Sequence, residues 1–328
     1  MSTPAQRRAF VVRSGRAGWE ISAMTGDASV RRYFRLIGPG QQSAILMQTA
    51  PDARTVSALP GADNSEETRF FALANTLLAA GLPAPKTYFS APSEGLFLIE
   101  DLGQSTFAQW LVERPDDEAL LYKVAGDTLA KLAKLSPPGL PVIGPDEGAQ
   151  MISPLFEFYA PSSPKDASAL KDVLRQTLRH LTGPPNVFAL RDFHAENLIW
   201  RPEWQGTDRA GLLDFQDAVL APAGYDLASL LSDARRDVSA SVQEALLAQY
   251  AQATGSNVEM LGAACAALSV MRNLRILGIF ANLVQNHRKP RYQSLMPRVH
   301  AHLRHALQHP ALADLRDPAL RCAPKPAC

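Results

Sequence analysis

The sequence predicts an α+β fold, with a small antiparallel-sheet unit holding one helix and a larger, mainly helical unit after it. Three observations carry that reading. Short apolar runs bounded by Gly and Pro crowd residues 1–101. Apolar stripes at helical spacing dominate residues 102–328. A length of 328 residues suits about two domains of ordinary size. The two units are expected to join near Glu100, Asp101 and Leu102.

The elements follow in order. Residues 19–24, 32–36 and 44–48 read as strands, the first two flanking a loop at 25–29. A stretch with Pro51, Pro60 and Gly61 leads into a marked helix. Asn64 can cap it, Glu67 completes the capping signal, and Phe70, Leu73, Ala74, Leu77 and Leu78 form one buried face. Gly81 and Pro83 stop it. Residues 86–90 and 96–100 complete the sheet. Two helical stripes then run from Leu121 to Leu132 and from Leu170 to Leu181. A short β island follows at 187–190, 198–200 and 211–213, and helical patterns resume at 226–231, 242–250, 258–283 and 297–307. No internal repeat is visible.

Composition excludes several classes. With 46% hydrophobic and 20% charged residues the chain is not disordered. A net charge of +1 argues against a nucleic-acid partner. The N-terminal apolar stretch is too short for a signal peptide, and the run 261–271 is about half of what a bilayer requires. Three cysteines, Cys265, Cys322 and Cys328, make no disulfide framework. A cytoplasmic protein without a membrane partner is the expectation. Of 33 basic residues only eight are Lys, none before Lys86.

The densest polar signal is RDFHAEN at 191–197, on a loop between two strands. An Asp followed five residues on by Asn is the spacing of a kinase catalytic loop. There the Asp receives the proton of the acceptor hydroxyl and the Asn holds a metal. Phosphoryl transfer asks for an aligned hydroxyl and cations on the phosphates, so one carboxylate and a few metal ligands suffice. A second signal, LLDFQD at 212–217, puts Asp214 after an apolar strand and before Phe215, with Gln216 where Gly is usual. His194 and Glu196 lie inside the first motif and are expected to orient it or touch substrate. Asp226 reads as a helix-start carboxylate.

RDFHAEN, LLDFQD and GYDLASLL together resemble the aminoglycoside phosphotransferase and choline kinase superfamily. GDASVRRYFRL (26–36), AILMQTAP (44–51), FLIEDLG (97–103), RNLRILGIFANL (272–283) and YQSLMPRV (292–299) narrow the likeness. They resemble its bacterial branch that phosphorylates N-acetylmuramate and N-acetylglucosamine at C1 in cell-wall recycling. The resemblance spans nearly the whole chain. It implies a protein-kinase-like bilobal fold, ATP and Mg2+ as cofactors, and a monomer acting on a small sugar. It implies Asp192 as catalytic base, with Asn197 and Asp214 as metal ligands. Gly26, Asp27, Ala28, Ser29 and Arg31 would cover the nucleotide phosphates, and Glu100 and Leu102 would meet the adenine.

Glu157, in the acidic and aromatic segment 155–159, is expected to border the sugar pocket. Arg272 and Arg275, one helical turn apart, are expected to meet the carboxylate of a muramate. One departure stands out. The phosphate-pairing Lys of the third strand is missing, as it commonly is in that branch, and Met47 and Gln48 stand there. Arg31 is the cation expected to replace it. Two other readings remain open on sequence: a kinase of another small hydroxyl substrate (aminoglycoside, choline, homoserine-like), and a non-catalytic nucleotide-binding scaffold.

Overall fold

The computed structural model describes residues 2–24, 31–49 and 66–326. The chain packs as two compact units, Met1–Thr106 with Leu198–Gln216, and Phe107–Asn197 with Asp217–Cys328.

The first unit opens with a helix that the sequence reading did not place, α1 (Pro4–Arg13). Thr3 Oγ1 accepts from the N–H of Gln6 while the Gln6 side chain accepts from the N–H of Thr3, and Pro4 fills the first helical position. The helix buries only Phe10 and Val11, which join Phe34, Leu36, Leu46 and Leu98 in one core. The sheet strands are β1 (Glu20–Ala23), β2 (Arg32–Ile37) and β3 (Ser43–Gln48). After α2 (Glu66–Ala79) come β4 (Thr87–Ala91) and β5 (Leu96–Glu100). Their order is β1-β2-β3-β5-β4, antiparallel at every pairing. On α2 the expected face is buried at Phe70, Leu73, Ala74 and Leu77. The expected cap Asn64 lies outside the described residues.

The chain continues through α3 (Phe107–Glu113), α4 (Glu118–Leu132), α5 (Pro145–Met151), α6 (Pro164–Leu181) and β6 (Val187–Ala189). The hairpin β7 (Leu198–Trp200) and β8 (Ala210–Leu212) then returns to the first unit. Trp200 N–H donates to Ser105 O at 2.9 Å, Leu212 N–H donates to Pro83 O at 2.8 Å, and Thr106 bridges Ile199. By packing, the first unit runs to Thr106 and takes in residues 198–216, beside the sequence expectation of a junction near Asp101. The remaining elements are β9 (Val219–Ala221), α7 (Tyr225–Leu231), α8 (Ala240–Thr254), α9 (Val258–Gln285), α10 (Met296–Ala306) and α11 (Ala313–Cys322).

The second unit is built on α9, 28 residues long and packed by α6, α7 and α10. By length and composition alone α9 could cross a membrane. Its apolar window is 72% buried inside the protein, which marks a core helix. Leu155–Tyr159 forms a single π-helical turn against it, a feature that often accompanies function. The contact is backbone on backbone: a Cβ at Gly278 would lie 2.2 Å from the Pro154 carbonyl carbon and 2.3 Å from the Leu155 nitrogen. Backbone cannot rotate aside as a long side chain can. Gly278→Ala is therefore expected to destabilise the chain by about 1–3 kcal/mol and to lower its melting temperature by several degrees. An unchanged thermal midpoint would show that the π turn yields.

Candidate active site

In the second unit β6 pairs with β9, placing Phe188 opposite Leu220 and delivering the chain to Leu190. The backbone then turns sharply, and Arg191 has φ +77°, in the left-handed region that non-glycine residues seldom adopt. Two side chains hold it there. The buried Asp226 carboxylate, in the first turn of α7, accepts from the N–H of Leu190 at 2.6 Å and of Arg191 at 2.9 Å. Arg272 of α9 donates to Arg191 O at 2.8 Å and to Ser229 Oγ at 2.6 Å, and its guanidinium lies 5.0 Å from the Tyr225 ring centroid. Gly224, which starts α7, has φ +89°, and a Cβ there would meet Cys265 Sγ at 2.8 Å. Both conditions favour glycine.

The loop is secured further along. Asn197 Nδ2 donates to Asp192 O at 2.9 Å and lies 3.4 Å from His194 Nε2. Ala195 N–H donates to Asp233 at 3.3 Å, and Ala108 N–H of α3 donates to Ala195 O at 3.1 Å. Burial, more than it is opposed by Asp233, pulls His194 down to about 4, so the ring is neutral at physiological pH. The Asp192 carboxylate is left half-exposed, on a loop fixed on both sides of it. The structure thus brings Asp192, His194 and Asn197 together.

The first unit carries the other predicted acid. Asp214 follows β8 with φ +57°, and Gln216 Nε2 donates to its Oδ1 at 2.7 Å, so the residue in place of the usual Gly supports the carboxylate. Phe215 is fully buried and stacks on Phe70 of α2, with centroids 5.0 Å apart and planes at 13°. Buried Arg31 places its guanidinium 5.7 Å from the same Phe70 ring. Arg35 is committed elsewhere, to the Asp101 carboxylate at 2.8 Å and Gly103 O at 2.9 Å. Met47 is buried, and the Gln48 amide is tied to Ser2 O and Arg7. The Glu100 carboxylate accepts from Lys86 N–H at 3.3 Å, and Leu102 is buried beside Gly211.

Gly26, Asp27, Ala28 and Ser29 lie outside the described residues. Glu157 is exposed on the π turn, and Arg275 is half-buried on α9. Two expectations change. Glu196 pairs with Arg235 at the surface of the loop. Arg272, expected to meet a substrate carboxylate, is buried with its donors spent on the loop backbone and Ser229. Sequence reading offered it to the substrate because nothing local signals that this stretch of α9 is buried. Asp101, Asp233 and Ser229 were missed for the same reason: their partners are distant in sequence.

The donor set suits a divalent cation. In the second unit Asn197 commits its amide nitrogen to Asp192 O, and in the first unit Asp214 carries a carboxylate; an amide oxygen and a carboxylate are both hard oxygen donors. Among the described residues no group of three or more His, Cys, Asp or Glu forms a metal cage. Magnesium does not need one where phosphate oxygens complete its shell.

Residues 20–261 match the phosphotransferase enzyme family. The chain belongs to that family. It is 35% identical to an N-acetylmuramate/N-acetylglucosamine kinase of Caulobacter vibrioides, over 95% of this chain and 94% of the relative. Its fold matches that of choline kinase LicA from Streptococcus pneumoniae (TM-score 0.64, 13% identity, 95% of this chain and 100% of that one). It also matches amicoumacin kinase hAmiN, solved with AMP-PNP, Ca2+ and Ami (TM-score 0.61, 14% identity, 89% of each chain). Such a family member is a phosphotransferase acting on a hydroxyl acceptor, with the kinase-like α+β fold that the strand and helix patterns predict.

The clamp on the loop titrates. Burial raises Asp226 to about 6, with the two N–H bonds and Arg272 opposing. Between its ordinary value and about 6 the folded chain holds more proton on this group than the unfolded chain. Acidification through that window therefore adds stability from Asp226 while removing the charge that grips Leu190 and Arg191. Turnover is expected to fall as pH drops through about 6, with no parallel fall in melting temperature from this group. A turnover profile flat down to pH 5 would contradict it.

Proposed function

We propose that this phosphotransferase transfers the γ-phosphoryl of ATP to the anomeric hydroxyl of N-acetylmuramate and N-acetylglucosamine, with Mg2+, as a cytoplasmic monomer. The observation that carries the reading is the match to the Caulobacter kinase along nearly the full length of both chains. The loop architecture supports it, since a half-exposed carboxylate held at fixed backbone is what a hydroxyl acceptor needs.

In this reading Asp192 accepts the hydroxyl proton and aligns its oxygen for attack. Asn197 and Asp214 would hold the metal ion, which when bound would supply positive charge for the phosphate oxygens. Arg31 supplies the cation that the third strand lacks, beside Gly26, Asp27, Ala28 and Ser29 over the phosphates. Glu100 and Leu102 meet the base through their backbone. His194 orients Asn197, and Glu157 faces the sugar.

The test uses purified protein with ATP and magnesium against a panel of sugars, with phosphorus NMR to identify the oxygen phosphorylated. A glycosyl 1-phosphate from both amino sugars is expected, and a chelator should abolish it. Asp192→Asn should reduce kcat by about 10²–10⁴-fold while nucleotide binding persists. A 6-phosphate product, or an Asp192→Asn variant with ordinary turnover, would sink the reading.

A further inference from the structure

Helix α9 carries two arginines one turn apart in different circumstances. Arg272 is satisfied by Arg191 O, Ser229 Oγ and the Tyr225 ring. Arg275 is half-buried, and its side chain makes one long hydrogen bond, 3.5 Å to Met151 O at the end of α5. A guanidinium has five N–H donors in a fixed fork, and none of those on Arg275 is buried without a partner, so the donors beyond the Met151 contact are open to a ligand.

The charges around Arg275 sharpen the point. Burial and the neighbouring Arg191 and Arg272 work against its positive charge, while Asp192 and the Tyr225 phenol favour it. Among the described residues, none of Arg191, Arg272 and Arg275 has an ion-pair partner. Arg272 answers the buried Asp226, which leaves Arg191 and Arg275 with the half-exposed Asp192 as the one carboxylate near them. The deficit of negative charge lies at the residue that receives the acceptor hydroxyl.

We propose that Arg275 is the residue that selects a carboxylate-bearing amino sugar, its guanidinium fork taking the substrate's carboxylate while the substrate hydroxyl meets Asp192. The inference rests on the sugar-kinase reading and deepens it. Of the two sugars, N-acetylmuramate carries a lactyl carboxylate and N-acetylglucosamine has a hydroxyl in its place. A second anion brought beside Asp192 would be repelled without a local cation. A planar fork on a rigid helix matches a carboxylate better than a lysine ammonium does. Met151 O holds the side chain in place without using up its donors. Gly278, three residues on, seats the π turn with Glu157 on the same stretch of helix.

The experiment compares kcat/KM for the two sugars in the wild-type chain, Arg275→Gln and Arg275→Lys. Replacing the fork with a neutral amide should shift the ratio about 10- to 100-fold against N-acetylmuramate, mostly through KM, and Lys should restore part of it. The N-acetylglucosamine rate measured on the same preparation shows that each variant is folded. A ratio within about twofold of wild type in Arg275→Gln overturns the inference and leaves the kinase reading standing. A wild-type chain that phosphorylates neither sugar overturns both.

Discussion

A carboxylate taken out of water organises this molecule. Asp226 is buried and must find donors for its charge, and the donors it finds are the two backbone N–H groups that precede Asp192. Its position in the first turn of α7 adds the favourable field of a helix start. Arg272 returns the positive charge from α9 and takes up the Arg191 carbonyl as well. Removing one member of such a buried set leaves an uncompensated charge, at a cost of about 3–5 kcal/mol. The left-handed turn at Arg191 persists because both of its backbone polar groups are claimed from outside. Asp192 projects from a backbone with little freedom left, and positioning of that kind is the main thing a phosphoryl-transfer enzyme has to supply.

The length of α9 follows from the same demand. One end of its buried stretch must hold Arg272 under the loop, and Gly278, two turns or less beyond, must let the π turn approach to backbone distance. A helix ending before Gly278 would satisfy one and lose the other. That accounts for an apolar composition extreme enough to mimic a membrane span: α9 is surrounded by α6, α7, α10 and the π turn, so it has almost no solvated face.

The five strands of the sheet and α2 were legible because their patterns are local. Alternation along β2 and the stripe Phe70–Leu73–Ala74–Leu77 each record a single buried face, and the apolar run of β3 records a strand buried on both faces. Helix α1 was not legible, since two buried residues in ten make no period, and its strongest signals are the reciprocal cap and Pro4. The spacing of Asp192 and Asn197 could be read because both lie on one loop. What fixes that loop could not be read, because Asp226, Asp233 and Arg272 lie 35 to 81 residues from their partners. The β7–β8 hairpin deceived a linear reading in the same way: its backbone bonds run to Pro83 and Ser105, far back in the chain.

The first unit solves a different problem with apolar surface in place of charge. No lysine stands on β3, and strand alternation alone offered Arg31 and Arg35 equally. The structure separates them. Arg35 is spent on Asp101 and Gly103, where it stiffens the exit from β5. Arg31 instead lies against Phe70, which stacks on the ring of Phe215, the residue after Asp214. Cation, α2 and the acidic turn are thereby joined through two stacked rings in one unit. A cation–π contact in a desolvated setting is worth about 2 kcal/mol, and aromatic stacking adds about 0.5–1.5. A lysine would hold its ammonium by a flexible stem, whereas a stacked guanidinium is oriented by the ring beneath it. In the proposed reading the cation stands at the head of β2 instead of on β3, and the two rings couple it to the turn that carries Asp214.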